Sequence, residues 1–289
     1  MSIKESELIL NPDGSVYHLN LKPENIAQDL IFVGDQDRVE KITKHFDEVT
    51  FSTQKREFKT QTGFYKGKKL TVLSTGIGPD NIDIVLNELD ALVNIDLKTR
   101  KPKEKITSLN IVRVGTSGSL QKDIPVDSFV VSSHGLDING MLHFYQIKSV
   151  ANPDIENAFI KHTQWSLDKA RPIIIDNSKA LEKRFYSNKT YKGITATAGG
   201  FYGPQGRILR LPLQDAKLNS KIDSFKFEEN FISNLEMETS VIYGLSKLLG
   251  HNALSLNAII ANRATGEFSK DPKAVVESLI SYTLNKFIS

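Results

Sequence analysis

The chain has 289 residues, 37 Lys plus Arg against 34 Asp plus Glu, a formal net charge of +3, and no cysteine. That excludes a disulfide scaffold, a thiol nucleophile, Cys-ligated zinc and an iron–sulfur cluster, and the small positive excess does not mark a nucleic-acid binder. Hydrophobic residues at 39% and charged residues at 25% describe an ordinary globular protein, and at this length the core needs no staples.

The first fifteen residues read as a short extension, without the basic and then apolar regions of a secretory leader. Leu30-Ile31-Phe32-Val33 is a buried-strand candidate that runs into Gly34. Val39, Ile42 and Phe46 follow at helical spacing. Phe64 to Ser74 reads as a hairpin turning at Lys66-Gly67-Lys68. From Asn81 to Val93, the residues Ile82, Val85, Leu86, Leu89 and Val93 share one helix face. The run Lys98-Thr99-Arg100-Lys101-Pro102-Lys103-Glu104-Lys105 reads as a solvated loop inserted at about 96–107, with an anion-binding patch as the alternative. Strands are expected at Leu109–Val114, Ser128–Ser132, Thr190–Ala198 and Ala253–Ala261. A last helix begins with Asp271 as N-cap and Pro272 at N1, and carries the stripe Val276, Ile280, Leu284, Phe287. There is no internal repeat and no apolar run approaching the ~20 residues of a membrane span. The pattern is α/β, one domain over residues 1–289, with a central sheet covered by helices. A cytoplasmic protein with no membrane or nucleic-acid partner is expected.

Four segments carry potential chemistry. Gly34-Asp35-Gln36-Asp37-Arg38 joins a strand to a helix, where backbone N–H groups and an Arg can meet an anion. It could equally be a routine turn with a surface Arg. In Arg113-Val114-Gly115-Thr116-Ser117-Gly118, Arg113 shares a face with Ile111, and a buried guanidinium needs an anion or a carboxylate partner. The residues after it read as an oxyanion-binding turn at a strand end. Glu236-Met237-Glu238 is read as the start of a helix, either serving the dipole or binding sugar hydroxyls. Phe201-Tyr202-Gly203-Pro204-Gln205-Gly206-Arg207 combines aromatic, amide and guanidinium groups suited to a planar ring with carbonyl and N–H edges, or is a turn with core aromatics. The six histidines, His18, His45, His134, His143, His162 and His251, show no metal-ligand spacing, and there is no P-loop.

In order and combination, these segments resemble the nucleoside phosphorylase family, and within it the uridine-specific branch. The likeness runs from about Val16 to the C-terminus. It rests on Gly34 to Val39, Arg56-Glu57-Phe58, Ser74 to Gly78, Arg113 to Gly118, Phe201 to Arg207, Glu236 to Glu238 and Asn262-Arg263. The resemblance implies a three-layer α/β/α sandwich with a central mixed sheet. It implies reversible phosphorolysis of uridine to uracil and ribose 1-phosphate, with phosphate as co-substrate and no cofactor. Phosphate would sit among Gly34, Arg38, Arg113 and Thr116, with Arg56 reaching in from a neighbouring subunit. Glu236, Met237 and Glu238 would hold the ribose, with His18 contacting its 5′-hydroxyl across the subunit boundary. Phe201, Gln205, Arg207, Ile260, Ala261 and Arg263 would form the base end. Arg207, Gln205 and Arg113 would carry the chemistry. A homodimer, or a hexamer of three dimers, is implied.

The departures bear on specificity. Purine-specific relatives typically place a catalytic Asp near this late position, where this chain has Asn262. Gln36 replaces a usual Pro and leaves the flanking Gly and Arg in place. Some relatives bind potassium at the dimer interface through residues matching Glu57, Ile77 and a serine; Asn81 stands in place of that serine, and no resident metal is expected. The rival readings are a purine or broad-specificity phosphorylase, a nucleoside hydrolase, and a non-catalytic nucleoside-binding protein.

Overall fold

Leu30, Ile31, Phe32 and Val33 are buried on both faces, as a continuous apolar run in a central parallel strand requires. In the computed structural model, which describes residues 2–289, they form β1 (Asp29–Val33). It is followed by α1 (Gln36–Thr43), β2 (Glu48–Lys55), β3 (Phe58–Tyr65), β4 (Lys68–Ser74) and α2 (Pro79–Asn94). Next come β5 (Ile95–Asp96), β6 (Lys101–Pro102), β7 (Asn110–Ser119), β8 (Phe129–Asp137), α3 (Pro153–Thr163), β9 (Ile173–Asp176), α4 (Lys179–Phe185) and β10 (Thr190–Thr197). The chain ends with α5 (Leu218–Asp223), β11 (Lys226–Phe227), β12 (Asn230–Glu236), α6 (Thr239–Leu249), β13 (Asn252–Asn262), β14 (Glu267–Phe268) and α7 (Pro272–Ile288).

Local chemistry sets the ends of these elements. Asp35 accepts from the Asp37 N–H and caps α1, while Asp271 accepts from the Ala274 N–H at 3.0 Å and caps α7. Lys66 and Gly67 both have positive φ, 48° and 77°, as a two-residue turn between twisted antiparallel strands demands.

The mixed sheet runs β11-β12-β10-β8-β13-β7-β1-β4-β3-β2, with β9 and β14 attached to β8 and β13. β12 also pairs antiparallel with β7, Asn234 opposite Ser119 and Leu235 opposite Gly118. The strands β7, β13, β8, β10 and β12 therefore close into a ring at one end of the sheet. Helices cover both faces. Val85 and Leu89 of α2 pack with Ile242 and Leu245 of α6 on one side. Val39 and Ile42 of α1, Leu181 of α4 and Leu284 of α7 pack on the other. α3 and α5 cover the ring through Ile155, Phe159, Leu218 and Ile222. The three-layer α/β/α expectation holds, with this closure as an added feature.

Several local readings change. The hairpin expected at 64–74 is the second half of a meander, because β2 also pairs with β3. The strand at 109–114 continues to Ser119, so Gly115–Gly118 is sheet rather than turn; its neighbours β13 and β12 supply the hydrogen bonds. Glu236 ends β12, Glu238 is the N-cap of α6, and the helix starts at Thr239. The basic segment is a small hairpin, Ile95 opposite Pro102 and Asp96 opposite Lys101. It has a structural role: Lys103 Nζ donates to the Val93 carbonyl at 2.9 Å near the end of α2, and Arg100 accepts from Ile3 N at 2.8 Å and donates to Leu8 O.

Candidate active site

A cavity of about 290 Å³ opens where β1, β7, β12 and β13 end, the position at which α/β folds bind ligands. Its lining falls into three groups by chemistry and contact: Gly34, Arg38, Arg113 and Thr116; Glu236, Met237 and Glu238, which meet Arg113; and Phe201, Gln205 and Arg207 with Ile260 and Ala261.

The first group is cationic. Gly34 follows β1, and Arg38 on α1 donates to the Val114 carbonyl at 3.2 Å. Arg113 is buried, and its guanidinium lies across Gly115, where a Cβ would stand 1.7 Å from Nη1. A glycine is required there by that close approach. Nη1 donates to Asn257 Oδ1 at 3.0 Å, and Nη2 to Glu238 Oε2 at 2.5 Å, with Glu236 Oε2 at 3.4 Å. Arg113 thus has the carboxylate partner that a structural role would need, and it also faces the cavity. A guanidinium carries five N–H donors, so donors remain for an anion. Burial acts against its charge, but Glu238 and Glu236 outweigh that and push its pKa above the ordinary Arg value. Arg38 moves the other way, through burial and then the charge of Arg113. Two cations converge here.

The two glutamates have different partners: Glu236 serves the start of α6, and Glu238 meets Gly78 and Arg113. Glu236 accepts from Glu238 N at 2.9 Å, from Thr239 N and from Thr197 Oγ1 at 2.7 Å. It satisfies the N–H groups that the start of α6 would otherwise leave unpaired. Glu238 accepts from Gly78 N at 2.8 Å and from Arg113. Burial pushes the Glu238 carboxyl up; Arg113 opposes this and the Glu236 charge adds to it.

The third group is built on a short 3-10 turn, Gly203–Gln205. Phe201 and Tyr202 are about half exposed, 51% and 54%, so they are not core aromatics. The Arg207 guanidinium stands 3.8 Å over the Phe201 ring and donates to Phe201 O at 2.6 Å and to Gln205 Oε1 at 2.5 Å. Gln205 is buried, and its carbonyl accepts from Arg263 Nη1 at 2.7 Å and Asn219 Nδ2 at 3.1 Å. Burial lowers the pKa of Arg207, and burial together with the Arg207 charge lowers that of Arg263. A second pair of cations therefore meets here.

Three expected residues lie elsewhere in this chain. Arg263 holds the Gln205 carbonyl and does not line the cavity. Arg56 is exposed at the β2–β3 turn with φ 56°. Gln36, which at first looks neutral, ties that turn to the start of α1 by donating to Arg56 O at 2.6 Å. His18 is paired to Glu88 through Nδ1 at 2.6 Å. Asn81 Nδ2 donates to the Ile77 carbonyl at 3.3 Å, and so turns a donor toward the oxygen a cation would need there. Asn262 is saturated. It donates to Gln121 O and Ile124 O, both 2.9 Å, and accepts from Ala264 N and Thr265 N at 2.9 and 3.1 Å. Missed from the sequence were Leu235 and Phe268 in the lining and Asn257 behind it. Phe268 belongs to a two-residue strand, opposite Ala261, and so short an element leaves no periodicity to read.

The family model of the phosphorylase superfamily matches residues 29–285. A curated uridine phosphorylase from Thermococcus kodakarensis is 29% identical over 265 residues, covering 89% of this chain and 81% of that protein. A DeoD-type purine nucleoside phosphorylase from Listeria welshimeri is 27% identical over 251 residues, covering 86% of this chain and 88% of that protein. A solved nucleoside phosphorylase from Trypanosoma brucei, described as showing uridine phosphorylase activity, aligns with a TM-score of 0.88 at 27% identity, covering 97% of this chain and 99% of that one.

Proposed function

Because this chain belongs to the phosphorylase superfamily, we propose that it catalyses the reversible phosphorolysis of uridine to uracil and ribose 1-phosphate. One observation carries the reading. The cavity is lined by Arg38 and Arg113, by Arg207 with Arg263 behind it on the Gln205 carbonyl, and by the glutamates Glu236 and Glu238 beside Arg113. Phosphorolysis needs that distribution of charge. The nucleophile is an anion, the leaving group becomes one, and the sugar between them turns transiently positive.

In this reading phosphate binds to the Gly34 N–H, Arg38, Arg113 and Thr116. Glu238 and Met237 hold the ribose hydroxyls, with Glu236 fixing the turn beneath them. A phosphate oxygen attacks C1′, the C1′–N1 bond breaks, and its electron pair goes to N1 of the departing uracil. The charge spreads onto the uracil carbonyl oxygens. Arg207 keeps Nε and Nη2 unengaged by Phe201 O and Gln205 Oε1 and stabilises that charge, while Gln205 Nε2 donates beside it. Phe201, Ile260 and Ala261 border the ring, and Arg263 steadies Gln205 from behind. Binding two reactants in line supplies the proximity effect, and preorganised donors at the developing anion supply the electrostatic one. The reading requires no cofactor and no resident metal.

The base end favours a pyrimidine. Its lining offers two donors and no acid, and Asn262, near the position of the purine-branch acid, is fully engaged with backbone groups. His18 and Arg56 would complete a neighbouring subunit's site, which makes a homodimer the smallest active unit, alone or as three dimers in a hexamer. We place the reaction in the cytoplasm; among the described residues no helix is long and apolar enough to cross a membrane. One panel tests the whole reading: uridine, thymidine, inosine and adenosine, each with and without phosphate, followed by release of free base. Release from uridine only with phosphate is expected. Release without phosphate, or only from the purines, would overturn it.

A further inference from the structure

Behind the phosphate end stands Asn257, which none of the motifs includes. It lies on β13 directly opposite Gly115 of β7. Arg113 precedes Gly115 by two residues and projects from the same face, so its side chain runs over the glycine and ends at Asn257 Oδ1, 3.0 Å from Nη1. Asn257 is fully buried. Its Nδ2 faces two hydroxyls, Ser132 Oγ and Ser255 Oγ, each at 3.3 Å. That leaves Oδ1 for the guanidinium.

A guanidinium beside a carboxylate favours a two-pronged fork, with both Nη groups on the two carboxylate oxygens. Here only Nη2 is given to Glu238, because Nη1 is held by Asn257 and Glu238 Oε1 by the Gly78 N–H. We propose that Asn257 is a positioning residue that holds the Arg113–Glu238 pair to a single prong and prevents it from closing into the two-pronged fork. It thereby keeps the arginine open to phosphate and the carboxylate open to ribose. The inference rests on the phosphorolysis reading. Without the Asn257 acceptor, Nη1 would be buried without its partner, and rotation into the fork with Glu238 is its nearest remedy. Phosphate would then have to break that fork before binding.

The test compares N257L, which has similar volume and no acceptor, and N257S, whose hydroxyl is too short to reach, with S132A. The last variant alters the other side of the Asn257 amide and leaves Oδ1 in place. Initial rates are measured with uridine and phosphate varied separately, together with thermal unfolding. Loss of a hydrogen bond to a charged group predicts a KM for phosphate raised about 10- to 100-fold in N257L and N257S. S132A should stay within about twofold of the parent. In an E238Q background, where the fork cannot form with a full charge, N257L should add much less. A phosphate KM unchanged in N257L and N257S would overturn the inference, and so would S132A matching them, since that would make Asn257 merely part of the buried polar network. If the unaltered protein releases uracil without phosphate, the phosphorolysis reading itself fails, which is a different result.

Discussion

Replacing Arg207 by Ala tests the leaving-group end most directly. Its guanidinium makes two charge-assisted hydrogen bonds, to Phe201 O and Gln205 Oε1, and stands 3.8 Å over the Phe201 ring. Removing it takes away the charge proposed to meet the departing uracil, and loss of one such preorganised donor costs about 10²–10³ in rate, or roughly 3–4 kcal/mol of barrier. A stability loss accompanies this. Gln205 Oε1 is buried without its partner, a cost of about 1–3 kcal/mol, and the exposed cation–π contact contributes ~0.5–1 kcal/mol more. Rates are therefore read well below the melting temperature, by the absorbance change on uracil release with phosphate and uridine varied separately. The expected result is a kcat lowered 10²–10³-fold with the phosphate KM within about threefold. A uridine analogue whose base carries an electron-withdrawing substituent leaves more easily, so its rate should fall less. An unchanged kcat, or an equal loss for both nucleosides, would refute the role.

Three further outcomes follow from particular contacts. R56A and R113A proteins should each be impaired, yet mixing and reassembling them should restore part of the activity if Arg56 completes a neighbour's site; no recovery would favour independent sites. N262D should lower the melting temperature strongly without conferring inosine phosphorolysis, because a carboxylate cannot donate to Gln121 O and Ile124 O, and a buried charge left uncompensated costs about 3–5 kcal/mol; a stable variant with new purine activity would contradict this. Asp176 has its pKa strongly lowered, first by its hydrogen bond to His134, against partial desolvation, and then by Lys247. A lowered folded pKa gives stability that is present above the unfolded value of 3.8 and is lost as pH falls through the folded one. D176N should therefore cost about 1 kcal/mol near neutral pH, a modest sum because the group is partly solvated, and the gap to the parent should close in acid; a gap that is the same at all pH values would disprove it.

Much of the fold was legible because long elements carry their own period. Ile82, Val85, Leu86 and Leu89 announce α2, and all four are fully buried. The short elements were not legible. β5, β6, β11 and β14 have two residues each, too few for any alternation to register. The reach of β7 to Ser119 was hidden by Gly115 and Gly118, which suggest a turn; its partners β13 and β12, more than a hundred residues away, make it a strand. The site follows the same rule. Gly34, Arg38, Arg113, Thr116, Phe201, Gln205, Arg207 and Glu236–Glu238 stand in recognisable local motifs, and they converge on one cavity. Asn257 stands in an apolar strand with no motif around it. Only the cross-strand register, Asn257 opposite Gly115, brings it to the arginine.

The absence of an acid at the base end and the pairing of cations at both ends bear on one question, how the leaving group is made to leave. A purine can depart once a proton is delivered to its ring, and that delivery needs an acid held free to act. Here Asn262, beside the base end in sequence, has its donors and acceptors all committed to backbone. The remaining device is electrostatic. Arg207 is partly buried and lies close enough to Arg263 for its charge to disfavour the second cation, so an anion beside Arg207 would relieve repulsion as well as gain attraction. The same holds at the other end, where Arg113 disfavours the charge of Arg38. In the proposed reaction, negative charge brought in with phosphate would be matched by Arg38 and Arg113, and negative charge released on the base by Arg207. Neither pair of cations needs a proton to move. In the proposed reaction such a site suits a base that can carry its charge on exposed carbonyl oxygens, as uracil does and adenine cannot.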